Sequence, residues 1–207
     1  MGRHAGVAGD RTLLEIGLAL ASEVGEVAGV LARWRRDDER RCDRLADELG
    51  DVAYCWARLC VVTGMAPSTL LARSRAQIEW RQAGRPAGGP APGAGAMTLG
   101  EYAAWAVGSG GDERADRPDD PSLWDVGLAL VGDAGEVIEC LRRLTREGES
   151  QRERLAGELG DVWRYWTRLC VASGITPAEL LVRSRARIEG RLTAASQLKG
   201  AHPADSG

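Results

Sequence analysis

Eight acidic residues, set in four short tetrads, carry the most distinctive chemistry this chain has to offer. Glu23-Val24-Gly25-Glu26 is followed, after 21 residues, by Glu48-Leu49-Gly50-Asp51. The arrangement returns 110 residues further on, as Asp133-Ala134-Gly135-Glu136 and, after 21 residues, Glu158-Leu159-Gly160-Asp161. Carboxylates spaced i, i+3 on a helix share one face, so two neighbouring helices can aim two acidic pairs at one place. Four carboxylates gathered without a cation repel one another, and some must protonate. Hard oxygen ligands of this kind suit Mg²⁺ or Mn²⁺, and those ions suit phosphorylated substrates. The chemistry implied is metal-dependent action on phosphates, built twice.

All four tetrads carry glycine at the third position (Gly25, Gly50, Gly135 and Gly160). Glycine inside a helix costs roughly 1 kcal/mol relative to alanine. Two reasons could justify that cost: close approach of a facing helix, or room for a metal-bound phosphate. A second, basic pattern closes each copy, as Arg73-Ser74-Arg75-Ala76-Gln77-Ile78-Glu79-Trp80-Arg81 and Arg183-Ser184-Arg185-Ala186-Arg187-Ile188-Glu189-Gly190-Arg191. Ser184, Arg187 and Arg191 share a helical face, and guanidinium groups bind phosphates in bidentate fashion. The plainer alternative is a solvated basic helix end favoured by the helix dipole. Trp56 and Trp166 fall in the apolar seam and read as core. Trp34, Trp80, Trp105, Trp124 and Trp163 have no tryptophan at the matching position of the other copy, and any of them could stack on a base.

The elements that must position these groups are long helices. Leu13, Ile16, Leu20, Val24, Val27, Leu31 and Trp34 recur at spacings of three and four, as do Leu45, Leu49, Val52, Trp56 and Leu59. Leu155, Leu159, Val162, Trp166 and Leu169 repeat the second seam. Each acidic residue of copy one immediately precedes a seam residue, so the carboxylates flank the core instead of facing bulk water. Asp120-Pro121 reads as an N-cap followed by proline at the first helical position, with Asp10 as its counterpart. Thr176-Pro177-Ala178-Glu179 and Thr98-Leu99-Gly100-Glu101 are capping boxes; Ala66-Pro67-Ser68-Thr69 has lost the box. Gly64 and Gly174 mark helix ends.

Aligned without gaps, residues 10–81 and 120–191 are identical at about half their positions. The expected organisation is therefore a first repeat over 1–81, a flexible Gly/Pro/Ala linker over 82–96, a second repeat over 97–191, and a frayed tail over 192–207. Copy two opens with a short helix running to Val107. Copy one has only Met1 to Gly9 at that place, so its opening helix has been lost or the true start lies upstream. The net charge of -3 points to neither a nucleic-acid nor a membrane surface. No apolar stretch is long enough for a membrane span or resembles a signal-peptide core, which makes the cytoplasm the expected compartment. Cys42, Cys55, Cys60, Cys140 and Cys170 form no CxxC arrangement and read as buried hydrophobes in a reducing compartment. His4 and His202 lie in the polar termini, and the helices carry no Glu-x-x-His, which argues against a di-iron bundle.

The Glu-x-x-Glu, spacer, Glu-x-x-Asp arrangement, followed by a helix bearing candidate phosphate ligands, resembles the MazG-like all-α nucleoside triphosphate pyrophosphohydrolases. Glu-Leu-Gly-Asp-Val, at 48–52 and 158–162, is particularly typical. The resemblance covers 10–81 and 97–191. It implies an all-α fold of two tandem repeats packing as a pseudodimeric helix bundle, in a family whose members dimerise, so that further pairing of pseudodimers is an open alternative. It also implies a Mg²⁺-dependent hydrolase that releases a nucleoside monophosphate and pyrophosphate from a nucleoside triphosphate. Glu23, Glu26, Glu48 and Asp51 would hold the metal and act catalytically in copy one. Asp133, Glu136, Glu158 and Asp161 would hold it in copy two. Ser74 and Arg81, and Ser184, Arg187 and Arg191, would bind phosphate. Copy one departs from the family by carrying Gln77 where a cation is usual, and copy two by shortening its first ligand to Asp133. Copy one is thus expected to have the better metal site and copy two the better phosphate grip. Arg187 or Arg191 could be lent across the pseudodimer. The alternatives are phosphoribosyl-ATP pyrophosphohydrolysis, weakened because that enzyme is a single-copy domain, and a catalytically weak helical module for nucleotide sensing or protein association.

Overall fold

The seam residues predicted from spacing become one continuous core, because two helical pairs place their apolar faces against each other. The computed structural model describes residues 4–37, 42–85, 95–108, 122–172 and 174–200, and these segments contain helices and short turns but no strand. In chain order they form α1 (His4–Asp37), α2 (Cys42–Thr63), α3 (Pro67–Gln82), α4 (Leu99–Gly108), α5 (Ser122–Glu147), a 3₁₀ turn (Gly148–Gln151), α6 (Arg152–Ala172) and α7 (Pro177–Gly200). Every seam residue named above is buried, and Leu20, Leu45, Leu49, Leu59, Leu155, Leu159, Trp166 and Leu169 are wholly so. A fully buried leucine contributes about 1.5–3 kcal/mol.

Within each half a long helix packs on its successor, α1 on α2 and α5 on α6. The halves join where α1 crosses α5, and the crossing is tight at two glycines. A Cβ on Gly17 would lie 2.8 Å from Leu141 Cδ1, and one on Gly127 would lie 2.5 Å from Leu31 Cδ1. Trp56 donates its indole N–H to the Leu159 carbonyl at 2.9 Å, and Trp166 donates to the Leu49 carbonyl at 2.7 Å. Trp163 lies between these rings, 4.2 Å from each centroid.

The last helix of each half packs on the other half. Gly64 (φ 65°) and Gly174 (φ 74°) end α2 and α6 in the left-handed conformation, where a side chain would be strained. The turn after Gly64 sets α3 at 106° to α2. α3 then lies against α6, and α7 lies against α2. Arg152, at the start of α6, donates to the Thr63 carbonyl at the end of α2 (2.6 Å), satisfying a terminal acceptor.

Both expected capping boxes form. Glu101 accepts from the Thr98 amide at 2.7 Å and Glu179 from the Thr176 amide at 3.1 Å, and each threonine hydroxyl accepts in return at 3.2 Å. Ala66 provides no side-chain cap for α3, as its sequence implies. Two expected boundaries move. α1 begins at His4 and runs through Asp10, since no proline stands where Pro121 stands in the second half. α7 continues through Gly200, because 192–199 is rich in Ala, Gln, Leu and Lys and contains no breaker. The linker is helical to Gln82, and its stretch 86–94, like Asp120-Pro121, lies outside the described residues. Among the described residues no single helix is long and apolar enough to cross a membrane.

Candidate metal centre

Because α1 and α2 pack along the seam, Glu23 on α1 and Glu48 and Asp51 on α2 emerge on the same side of it. One oxygen from each lies within 4.8 Å of the others. Octahedral Mg²⁺ at about 2.0–2.1 Å places its ligand oxygens about 3 Å apart when adjacent and about 4 Å apart when opposed. The trio therefore needs only side-chain adjustment to hold such an ion, and an all-carboxylate donor set fits a hard divalent cation. Electrostatics agree. Burial, followed by the charges of Asp51, Glu48 and Glu26, raises the Glu23 pKa against the opposing influence of Arg187. Burial and the charge of Glu26 raise that of Glu48, against Arg44. A divalent cation among them would relieve both penalties.

Glu26 stands apart. Its side chain is 53% exposed, whereas those of Glu48 and Asp51 are 16% and 15% exposed. The Arg44 guanidinium lies 3.9 Å from Glu26 and 3.6 Å from Glu48. The fourth expected ligand is thus outside the convergent trio.

Helix α7 brings Arg187 and Arg191 to this site from the other half. Arg187 Nη2 lies 2.7 Å from Asp51 Oδ1 and also donates to the Asp47 carbonyl, while Arg191 Nη1 is 3.9 Å from Asp51. Arg183, one turn earlier on α7, pairs with Asp43 and Asp47 at 2.9 and 3.1 Å.

On the other side of the molecule, among the described residues, Asp133, Glu136, Glu158 and Asp161 form no comparable trio. Arg154 pairs with Glu136 and lies 3.5 Å from Glu158, and Arg81, from α3, lies 3.5 Å from Asp161. Asp133 Oδ2 is buried without a hydrogen-bond partner. Burial, then the charges of Asp161 and Glu158, push the Asp133 pKa up to about 6. Burial also raises Glu158 and Asp161, against Arg154 and Arg81 respectively.

The serines occupy a different place from the one expected of phosphate ligands. Ser184 is buried and donates to the Gly50 carbonyl at 3.0 Å. Ser74 is buried between the Gly160 carbonyl (3.2 Å) and the Tyr102 hydroxyl (2.9 Å). A Cβ on Gly50 would meet Ser184 Cβ at 2.9 Å, and one on Gly160 would meet Ser74 Cβ at 2.8 Å. These two glycines therefore serve helix approach. Gly25 and Gly135 have nothing within 4 Å of the added atom, so open space lies beside the α1 and α5 carboxylates.

Trp34 and Trp163 are core residues and cannot offer a face to a base. Trp124 packs edge-on against Trp34 at 6.5 Å, Trp105 lies under Arg75, and Trp80 lies under Arg85. Arg44 and Arg154 were readable in the sequence, four residues before Glu48 and Glu158 on the same helical face. Asp47 and Tyr102 gave no such signal. A cleft of about 660 Å³ between α4 and the α6–α7 turn, lined by Leu99, Ala103, Val171, Ile175 and Pro177 among others, includes none of these carboxylates. Among the described residues no cysteine is in a disulfide; Cys55, Cys60, Cys140 and Cys170 are buried, and burial pushes the Cys55 thiol up to about 11. Comparison of the chain with protein-family models, curated proteins and solved structures found no match.

Proposed function

We propose that the protein is a Mg²⁺-dependent nucleoside triphosphate pyrophosphohydrolase of the MazG-like kind, built as a tandem pseudodimer, and that it releases a nucleoside monophosphate and pyrophosphate. The observation that carries this reading is the convergence of Glu23, Glu48 and Asp51 beside Arg187, which comes from the other half. Glu23, Glu48 and Asp51 would hold the ion, with Mn²⁺ as a substitute, and Glu26, whose charge acts on Glu23 and Glu48, would add to the negative field around it. A bound divalent ion would supply charge neutralisation on the phosphate chain and activation of the attacking water. Arg187 and Arg191 would bind the phosphates through their guanidinium forks, with Arg187 turning from Asp51 toward the substrate. The open space beside Gly25 would admit the phosphate chain. Ser74 and Ser184 would position the exchanged helices and leave phosphate contact to the arginines.

A second reading is a helical module for nucleotide sensing or protein association. The guanidinium groups already paired with Asp51, Glu136 and Asp161 favour it. Ion-exchange chromatography of the products separates the two. The enzyme reading expects monophosphate and pyrophosphate without a diphosphate. Diphosphate with orthophosphate would mean that a different bond is cut, and no product at all would favour the module.

A further inference from the structure

We propose that the chain carries one cation centre, on α1–α2, and that the corresponding carboxylates on α5–α6 have become an ion-pair fastener. The inference rests on the metal reading of Glu23, Glu48 and Asp51, and it concerns what distinguishes the two halves at matching positions. Where α1 offers Glu23, α5 offers Asp133, one methylene shorter, with Oδ2 buried and unpartnered. No trio forms among the described residues on this side.

The helix interfaces beside the two places differ in the same sense. On α2–α7, Asp47 and Asp51 face Arg187 at 3.8 and 2.7 Å. On α6–α3 the matching residues are Gly157, Asp161 and Gln77, and Gln77 Oε1 would lie 3.8 Å from a Cβ on Gly157. A charged couple has been exchanged for a neutral one, and the α5–α6 site lacks the additional carboxylate of Asp47. Tyr54, a neutral residue on α2, is matched on α6 by Arg164, whose positive charge acts on both Asp133 and Asp161. Arg154 joins α6 to α5 through Glu136 and faces Glu158 on its own helix, and Arg81 joins α3 to α6 through Asp161.

The α1–α2 site has guanidinium groups of its own, but there an excess of carboxylate surrounds a convergent trio. On α5–α6 Glu136, Glu158 and Asp161 each face an arginine, and Asp133 Oδ2 is buried without a hydrogen-bond partner. A divalent ion entering there would have to displace guanidinium groups that hold three helices together.

Counting Mn²⁺ on the full-length protein by the electron paramagnetic resonance of the free ion tests this. One ion per chain is expected. Second-sphere changes cost metal sites about 10–100-fold in affinity, so removing a ligand charge by Glu48→Gln should cost at least about tenfold. Glu158→Gln should leave Mn²⁺ affinity unchanged, and Arg154→Ala, which removes the α5–α6 pair with Glu136, should lower the melting temperature without metal. Two ions per chain, or loss of binding through Glu158→Gln alone, would overturn the proposal. An unchanged melting temperature in Arg154→Ala would remove the fastener. Absence of binding to the unmodified protein, even with nucleotide present, would overturn the metal reading itself. If Glu48→Gln failed to fold, the stoichiometry of the unmodified chain would still decide between one centre and two.

Discussion

Gly50 and Gly25 occupy the same position in their tetrads, yet their surroundings assign them opposite responses to a methyl group. An alanine at 50 would press its Cβ to within 2.9 Å of Ser184 Cβ, a contact real side chains do not make. The overpacking exceeds the gain in helix propensity, so Gly50→Ala should lose about 1 kcal/mol or more in denaturant unfolding. Gly25→Ala meets nothing within 4 Å and should gain about 0.5–1 kcal/mol. If the space beside Gly25 admits the phosphate chain, the same change should slow turnover while the protein becomes more stable. Equal responses at the two positions would contradict the distinction. Asp133 offers a second test at this scale. Its folded pKa is raised to about 6, mainly by burial, so the unfolded chain releases this proton at lower pH than the folded one. The folded state is therefore not penalised below the ordinary aspartate range, and it loses stability as pH rises toward 6. Melting curves of Asp133→Asn in chelator should match the unmodified protein near pH 4 and lie above it from about pH 6 upward. A difference that shrinks as pH rises would contradict this assignment.

At the level of the helices, the apolar seams and their ends were legible because they depend on local physics. Leu45, Leu49, Val52, Trp56 and Leu59 recur with the helical period, and all are buried. Thr98–Glu101 and Thr176–Glu179 close capping boxes that sequence alone specifies. The destination of α3 and α7 was not legible, because the 106° bend between α2 and α3 is a tertiary outcome of the Gly64 turn. The same limit explains the serines. Ser74 and Ser184 share a helical face with arginines, as a phosphate grip would, but the exchange of helices turns that face onto Gly160 and Gly50. The site was legible in its carboxylates and not in their convergence. Asp133 and Glu23 differ by one methylene, but only the packing of α5 on α6 decides that Asp133 stays buried and unpartnered.

For the molecule as a whole, the exchange makes the halves hard to separate. Trp56 and Trp166 each bond across the interface, α1 crosses α5 at two glycines, and α3 and α7 each pack on the opposite half. A protease site placed within residues 86–94 and then cut should leave the two fragments co-eluting on size exclusion and melting together; separation into free halves would contradict the exchanged arrangement. The same architecture makes the central claim testable at one residue, since carboxylates from α1 and α2 lie beside Arg187 from α7. The decisive measurement is the rate of pyrophosphate release from nucleoside triphosphates, with Mg²⁺ and with chelator, for the unmodified protein and for Glu48→Gln. The account predicts Mg²⁺-dependent release that falls at least about tenfold in the variant, equivalent to roughly 1.4 kcal/mol in the barrier. Release that persists in chelator, or that Glu48→Gln leaves intact, would contradict it.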